Sequence, residues 1–285
     1  MTFLKYLFYT GYVILGFMVF PGCKPKVIVL KSPPHYNFSE VETYKLDLKI
    51  KEISGIVWDS KNGEFLVHND EKGIIFFLDK ESKAIKPGRD IPFAGKGDYE
   101  DIALVNGIPY VLRSDGLLTK IVKDSAGKYY GIEVGKIGLS GTNDFETMYY
   151  DDSRKALIVV CKNCAMDDKN SISAFAFYPD STGFDNKPVF TINADEIRKL
   201  SPEKSSKFQP SAAAIHPLLK NLFIISSASN QLVIADTDGN VESVFVLAKQ
   251  LFPQPEGITF KKGDMYISNE GVGARSTLLK FTYKP

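Results

Sequence analysis

Short apolar runs rich in β-branched and aromatic residues alternate along the chain with clusters of Gly, Asn, Asp and Lys, and the same order of runs and breaks returns five times. Each round opens on a related phrase. These are Ile53-Ser54-Gly55-Ile56-Val57-Trp58, Tyr99-Glu100-Asp101-Ile102-Ala103, Phe145-Glu146-Thr147-Met148-Tyr149-Tyr150, Pro210-Ser211-Ala212-Ala213-Ala214-Ile215 and Pro253-Gln254-Pro255-Glu256-Gly257-Ile258-Thr259-Phe260. With Ser54, Glu100, Glu146, Ser211 and Glu256 as equivalent positions, the steps are 46, 46, 65 and 45 residues. A polar turn follows each opening run, as at Asp59-Ser60-Lys61-Asn62-Gly63 or Lys261-Lys262-Gly263-Asp264, and then come a second and a third apolar run. Strand-like runs divided by turn residues and repeated at this length predict the blades of a β-propeller.

The last round supplies only three strands before Pro285, whereas Glu42 to Leu48 alternates like a strand ahead of the first round. Tyr44 to Leu48 is therefore expected to complete the last blade as its outer strand, which closes the ring and covers an open sheet edge. The expected fold is all-β, a five-bladed β-propeller over residues 41–285. The longest step leaves room for an insertion, in which Asn193 can cap a short helix that Arg198 and Lys199 end. Leu247 to Phe252 reads as a shorter equivalent, and Asp90 to Asp98, with Gly95 and Gly97, reads as a loop.

Composition narrows the function classes. The 285 residues fit one all-β repeat domain, and 44% hydrophobic content with 12% aromatics is enough to fill the spaces between blades. A formal net charge of +1 gives no long-range field for nucleic acid or anionic membrane. The first twenty residues carry Lys5 and then the apolar run Leu7 to Phe20, which reads as a secretory signal. Its end, Phe20-Pro21-Gly22-Cys23, resembles a bacterial lipoprotein signal, so residues 1–23 are expected to be a signal segment ending at a lipidated Cys23. A plain signal peptide or an uncleaved anchor is the alternative. Residues 24–40, with Pro25, Pro33 and Pro34, are expected to form an extended tether that leaves a monomeric domain attached to the cell envelope, at a face left open.

Candidate chemistry follows from blade geometry. The first strand of a blade lines the channel and the second runs antiparallel to it, so the start of one and the end of the other reach the same mouth. Ser54, Glu100, Glu146, Ser211 and Glu256 should ring that mouth beside His68, Asn69, Asp70, Arg113, Asn269 and Glu270. Carboxylates crowded into a narrow channel are relieved by protonation or by a cation. A set of hard oxygens with no convergent His or Cys favours calcium or magnesium, and calcium suits a roomy cage. The plainer reading is that each Glu bonds backbone amides or pairs with a lysine. His68 could serve as a base beside a metal, or simply be a hydrogen-bonded residue. Cys161 and Cys164 lack a second pair to complete a zinc site, and in an exported chain a disulfide between them is the first expectation and free thiols the second. There is no nucleophile elbow, phosphate loop or His-x-x-x-His pair.

The phrases around Glu100, Glu146 and Glu256, together with Met265-Tyr266-Ile267-Ser268-Asn269-Glu270-Gly271, resemble the SdiA-regulated family of bacterial envelope proteins, over roughly Tyr44 to Tyr283. Similar Glu-Gly-hydrophobic strands occur in NHL-type propellers and six-bladed lactonases. The resemblance implies a five-bladed propeller with calcium at a channel site and no established activity. Carried over motif by motif, it makes Glu100, Glu146 and Glu256 the metal ligands, while Ser54 and Ser211 depart from the pattern and offer neutral oxygens. The function expected is that of a calcium-binding, membrane-tethered module for a small molecule or an envelope protein. The alternative is a metal-dependent hydrolase of lactonase or phosphoesterase type.

Overall fold

The computed structural model describes residues 31–180, 183–202, 207–271 and 273–285. The signal segment, Cys23 and residues 24–30 of the expected tether lie outside them. A strand β1 (Val41–Lys45) comes first, and five rounds of strands follow. The first round is β2 (Ile53–Asp59), β3 (Glu64–Asn69), β4 (Lys72–Leu78) and β5 (Ile91–Lys96); the second is β6 (Tyr99–Val105), β7 (Ile108–Arg113), β8 (Leu117–Lys123) and β9 (Tyr129–Lys136). The third is β10 (Asn143–Asp151), β11 (Ala156–Cys164), β12 (Ser171–Phe177) and β13 (Phe190–Asn193). The fourth is β14 (Ala212–Ile215), β15 (Leu222–Ser226), β16 (Gln231–Ala235) and β17 (Val241–Val246), and the fifth is β18 (Pro255–Lys261), β19 (Asp264–Asn269) and β20 (Thr277–Phe281).

Each round makes one antiparallel meander, and the five sheets have four strands apiece. Neighbouring inner strands touch in the order β2, β6, β10, β14, β18 and back to β2, which makes the molecule a five-bladed β-propeller. Its core is split into five apolar wedges, one between each pair of adjacent blades. Middle strands are covered on both faces, so they read as unbroken apolar runs. In β3, Phe65 and Val67 pack toward blade five while Leu66 between them packs toward blade two. The inner hairpins close on tight turns. Asn106 and Gly107 have φ of 53° and 81°, and Lys262 and Gly263 have 54° and 99°, the left-handed pair that a two-residue hairpin loop requires.

In the fifth sheet β1 lies outside β20, with Val41 opposite Phe281 and Lys45 opposite Thr277. The strand is thus Val41–Lys45 rather than Tyr44 to Leu48. It stops there because Asp47 accepts a hydrogen bond from Lys49 N at 2.8 Å and caps a 3-10 turn, Leu48–Ile50. Asn193 caps helix α1 (Ala194–Leu200) through Asp195 N and Glu196 N. Leu247 to Phe252 is no helix but a single turn, closed by Leu251 N and Phe252 N on the Ala248 carbonyl. The expected loop at Asp90 to Asp98 contains β5, whose Ile91 and Phe93 are buried in the wedge between blades one and two.

The tether reading is corrected for residues 31–40. Tyr36 and Phe38 are buried in the wedge between blades four and five. Tyr36 donates its hydroxyl to the Gly263 carbonyl at 2.6 Å, and Phe38 sits against Phe252 and Phe281. Burying two aromatic rings is worth about 1.5–3 kcal/mol each, enough to hold a short segment down despite its prolines.

Candidate functional site

The marker glutamates reach the channel because their inner strands bulge there. In β6 the register passes from Tyr99 opposite Arg113 to Asp101 opposite Leu112, skipping Glu100. In β18 it passes from Pro255 opposite Asn269 to Gly257 opposite Ser268, skipping Glu256. In β10 Glu146 is skipped, and across from it in β11 so is Lys162. A bulged residue leaves the ladder and its side chain is re-aimed. Glu100, Glu146 and Glu256 thereby line one cavity of about 210 Å³ together with Ser54, Asp70 and Glu270. Glu52, Asp98 and Gln254, which the sequence reading did not single out, line it too.

Seven carboxylates therefore face one cavity. Burial, with Asp98 and Asp144 nearby, pushes the Glu100 carboxyl up to about 9. Burial lifts Glu256 to about 7, although hydrogen bonds from Ser227 and Gln254 resist the shift. Asp70 rises to about 6 from burial and the charge of Glu52, and its Oδ1 is buried without a hydrogen-bond partner. Against these stands Lys162, whose ammonium pairs with Glu146 and lies 3.5 Å from Asp144. The plainer reading of Glu146, pairing with a lysine, is thus present in the structure. Its signal was a lysine at a second-strand end opposite a marker Glu. Lys162 is held in the bulge by a disulfide between Cys161 and Cys164, which flank it. Asp167 lies beside these sulfurs, but sulfurs bonded to each other are not the thiolates a metal needs. Among the described residues, no three of the mouth carboxylates bring oxygens within 4.8 Å of one another, so the glutamates surround the cavity without closing on a point.

Five residues expected at the mouth do not line it. His68 is fully buried, with Nδ1 3.0 Å from the Asn69 carbonyl, and burial lowers its pKa to about 4. Asn69 donates to the Lys49 carbonyl and accepts from Lys72 N, while Asn269 donates to the Leu251 carbonyl and to Thr277 Oγ1. Arg113 makes two bonds of 2.8 Å to Asp115. Ser211 donates to the Pro255 carbonyl at 2.8 Å. The physical reason is strand alternation: His68 and Asn69 point to opposite faces of the sheet and into the wedges, and Asp70, just past the strand, turns to the opening. Ser54 lines the cavity, but its hydroxyl is committed to the Glu100 carbonyl at 2.7 Å. Both marker serines therefore tie one inner strand to the next.

Several solved structures resemble this fold at low identity. Glutaminyl cyclase of Myxococcus xanthus is 16% identical with a TM-score of 0.54, covering 86% of this chain and 96% of that one. A protein of unknown function from Bacteroides thetaiotaomicron is 17% identical with a TM-score of 0.52, covering 80% of this chain and 58% of that one. A gluconolactonase of Xanthomonas campestris is 10% identical with a TM-score of 0.50, covering 81% of this chain and 86% of that one. At these identities the likeness establishes the fold alone. No curated protein sequence matches the chain. The SdiA-regulated family model matches residues 33–272, from just ahead of the docked Tyr36 to just past the mouth residue Glu270, and the chain belongs to that family.

Proposed function

We propose that this propeller is a non-catalytic binding module of the bacterial cell envelope, tethered to a membrane through Cys23, whose acidic mouth holds a divalent cation, calcium by preference. The observation that carries the reading is the convergence of seven carboxylates from four blades on one cavity opposite the ammonium of Lys162. The donors fit the ion in chemical type, and their side chains would draw together around it. Among the described residues the cavity lining offers oxygens and no imidazole or thiol, and the orphaned Asp70 Oδ1 is a buried acceptor in need of a positive partner. Glu100, Glu146 and Glu256 would hold the ion, with Asp70 and Glu270 at hand. A bound cation neutralises charge that burial and crowding leave uncompensated, and it ties blades two, three and five together across the channel.

Calorimetry on chelator-treated protein tests this. Calcium at about a hundred times its dissociation constant stabilises the fold by about 2.7 kcal/mol, and Glu146→Gln or Glu256→Gln removes the rise. A melting curve unmoved by millimolar calcium overturns the reading. The hydrolase alternative loses His68 as its base, since that ring is sealed away from the cavity. Metal-dependent turnover of a lactone, ester or phosphoester panel, abolished by Glu146→Gln, would restore that alternative. For the anchor, Cys23→Ala should release the protein from membranes washed in high salt while the wild type stays bound, and a wild-type chain that is soluble after signal removal counts against it. Among the described residues no helix is long and apolar enough to cross a membrane.

A further inference from the structure

The opposite end of the channel has a different chemistry. There the five inner strands open into a funnel of about 580 Å³, capped by the hairpin turns at Lys61, Asn106, Gly107 and Pro217. Its wall keeps apolar side chains partly uncovered, among them Val57, Leu104, Tyr150 and Ile215. Beside the funnel two large apolar residues stand out into solvent, Leu218 at 56% exposure and Ile108 at 37%. Lysines surround them on the same turns: Lys61, Lys220, Lys261 and Lys262. Lys261 lies over the Trp58 ring at 4.8 Å from its centroid. The acids of these turns are already engaged. Asp59 is buried and caps its own turn, Asp151 pairs with Arg154, Asp152 with Lys155, and Asp264 lies 3.7 Å from Lys280. Among the described residues none of the four lysines has a carboxylate within ion-pair distance.

The chain also enters the propeller on this side. Tyr36 bonds the Gly263 carbonyl in the β18–β19 turn, His35 stacks on Tyr283, and Leu218 of the β14–β15 turn lies against that same cluster. Residues 24–30 are all the chain between Cys23 and the described segment, at most about 25 Å if fully extended. A body held that close by a lipid at Cys23 meets the bilayer with the face from which its tether emerges.

We propose that the lysine-rimmed funnel face is a membrane-docking surface, which rests on anionic lipid headgroups through Lys61, Lys220, Lys261 and Lys262, presses Leu218 and Ile108 into the interface, and turns the acidic mouth away from the bilayer. The orientation rests on the Cys23 anchor of the preceding section; the charge and apolar character of the face do not. Lysines beside exposed apolar side chains are the combination an anionic interface selects, each lysine adding attraction that salt screens.

Flotation of the mature chain, residues 23–285 carrying Cys23→Ala so that both the apolar signal segment and the lipid are gone, with phosphatidylcholine vesicles with and without phosphatidylglycerol, tests the face apart from the anchor. The chain should bind the anionic vesicles at least about fivefold more tightly than the neutral ones, and added salt should erase the difference. Lys220→Glu with Lys262→Glu should cut that binding about tenfold or more at an unchanged melting temperature. Leu218→Ser, an exposed position that puts no strain on the fold, should weaken it independently. Equal flotation of the charge-reversed and parent chains overturns the proposal, as does no binding to anionic vesicles. Membrane association of the wild type that vanishes entirely in Cys23→Ala overturns the docking face and leaves the anchor standing. If wild-type Cys23 proves unmodified by mass, the anchor fails and the vesicle comparison still decides the face.

Discussion

The two mouths of the channel are built by the same five strands and differ in how those strands end. At one mouth the inner strands begin with bulges, which throw Glu100, Glu146 and Glu256 out of the ladder and toward one another. At the other they end in hairpin turns such as Asn106-Gly107 and Lys262-Gly263, whose lysines project outward from an apolar funnel. The formal charge of +1 is summed over the whole chain, and it conceals both ends. A net charge of +1 provides no long-range field toward an anionic membrane, yet attraction at short range depends on which charges share a face, since fields beyond about a Debye length are screened. A propeller sorts its charge by position within the repeat, so neither end can be judged from the total.

The largest effect is expected between the mouths. Asp101 follows the marker Glu100 and is buried in the funnel wall, where it accepts from Ile102 N and from Met148 N of the next blade, both at 2.8 Å. Asp101→Ala strands two buried donors at about 1–3 kcal/mol each, so urea unfolding should show a loss of roughly 2–6 kcal/mol. Asp101→Asn keeps one acceptor and should lose less. If Asp101→Ala is as stable as the parent, the two mouths are not joined through this carboxyl.

Next comes a loss of stability in acid that acts on the funnel side. His216 is buried and its pKa is lowered to about 4, chiefly by burial. Its Nδ1 accepts from Leu218 N and Leu219 N, so the proton sits on Nε2 and is donated to the Tyr36 hydroxyl at 2.7 Å. A histidine with a depressed folded pKa stabilises the fold above its usual value near 6.5 and loses that contribution as pH falls toward 4. Glu100, Glu256 and Asp70, with raised pKa values, gain stability over the same range and His68 loses it, so the His216 contribution is read as a difference: between pH 7 and pH 4 the parent should lose on the order of 2 kcal/mol relative to a variant without the imidazole, and proteolysis near Tyr36 should begin in the same window. His216→Gln, which can still donate to Tyr36, should flatten the response. An identical pH profile in that variant would remove the histidine from the account.

Removing the counter-ion sharpens the acidic side. Lys162→Met leaves Glu146 and Asp144 without their ammonium, so the apo protein should melt lower and calcium should bind about tenfold more tightly, since the ion no longer competes with a tethered cation. Titration calorimetry checks both. Weaker binding in Lys162→Met would instead make the lysine a support of the site.

Much of this was legible before any coordinates. Five repeats point to the ring, and the marker positions point to Glu100, Glu146 and Glu256, because a bulge that recurs at one point of four of the five repeats shows itself as a recurring polar residue in an apolar strand. The rest depended on facts that no period carries. Lys162 occupies a bulge in a second strand, opposite one marker only. β5 was hidden by Pro92, Gly95 and Gly97, residues that suit an edge strand as well as a loop. Tyr36 and Phe38 looked like tether because their partners, Gly263, Phe252 and Phe281, lie more than two hundred residues away. His68 and Asn69 were assigned to the mouth by counting from the strand end, and alternation turned them into the wedges.

The smallest effect separates stitching from ligation. Ser54 and Ser211 occupy the marker position in blades one and four, and each donates to a carbonyl of the next blade, Ser54 to Glu100 and Ser211 to Pro255. Ser54 lines the acidic cavity and Ser211 does not, so the pair is an internal control for the oxygen set. Losing one neutral hydrogen bond costs about 0.5–1.5 kcal/mol, and either Ser→Ala change should lower stability by that amount. If the hydroxyls only stitch, both variants shift the unfolding midpoint alike and leave calcium affinity where it was. If Ser54 also meets the ion, Ser54→Ala alone weakens calcium binding while Ser211→Ala does not. That split would add a neutral oxygen from blade one to the carboxylates of blades two, three and five, and equal affinities would confine the ion to the carboxylates.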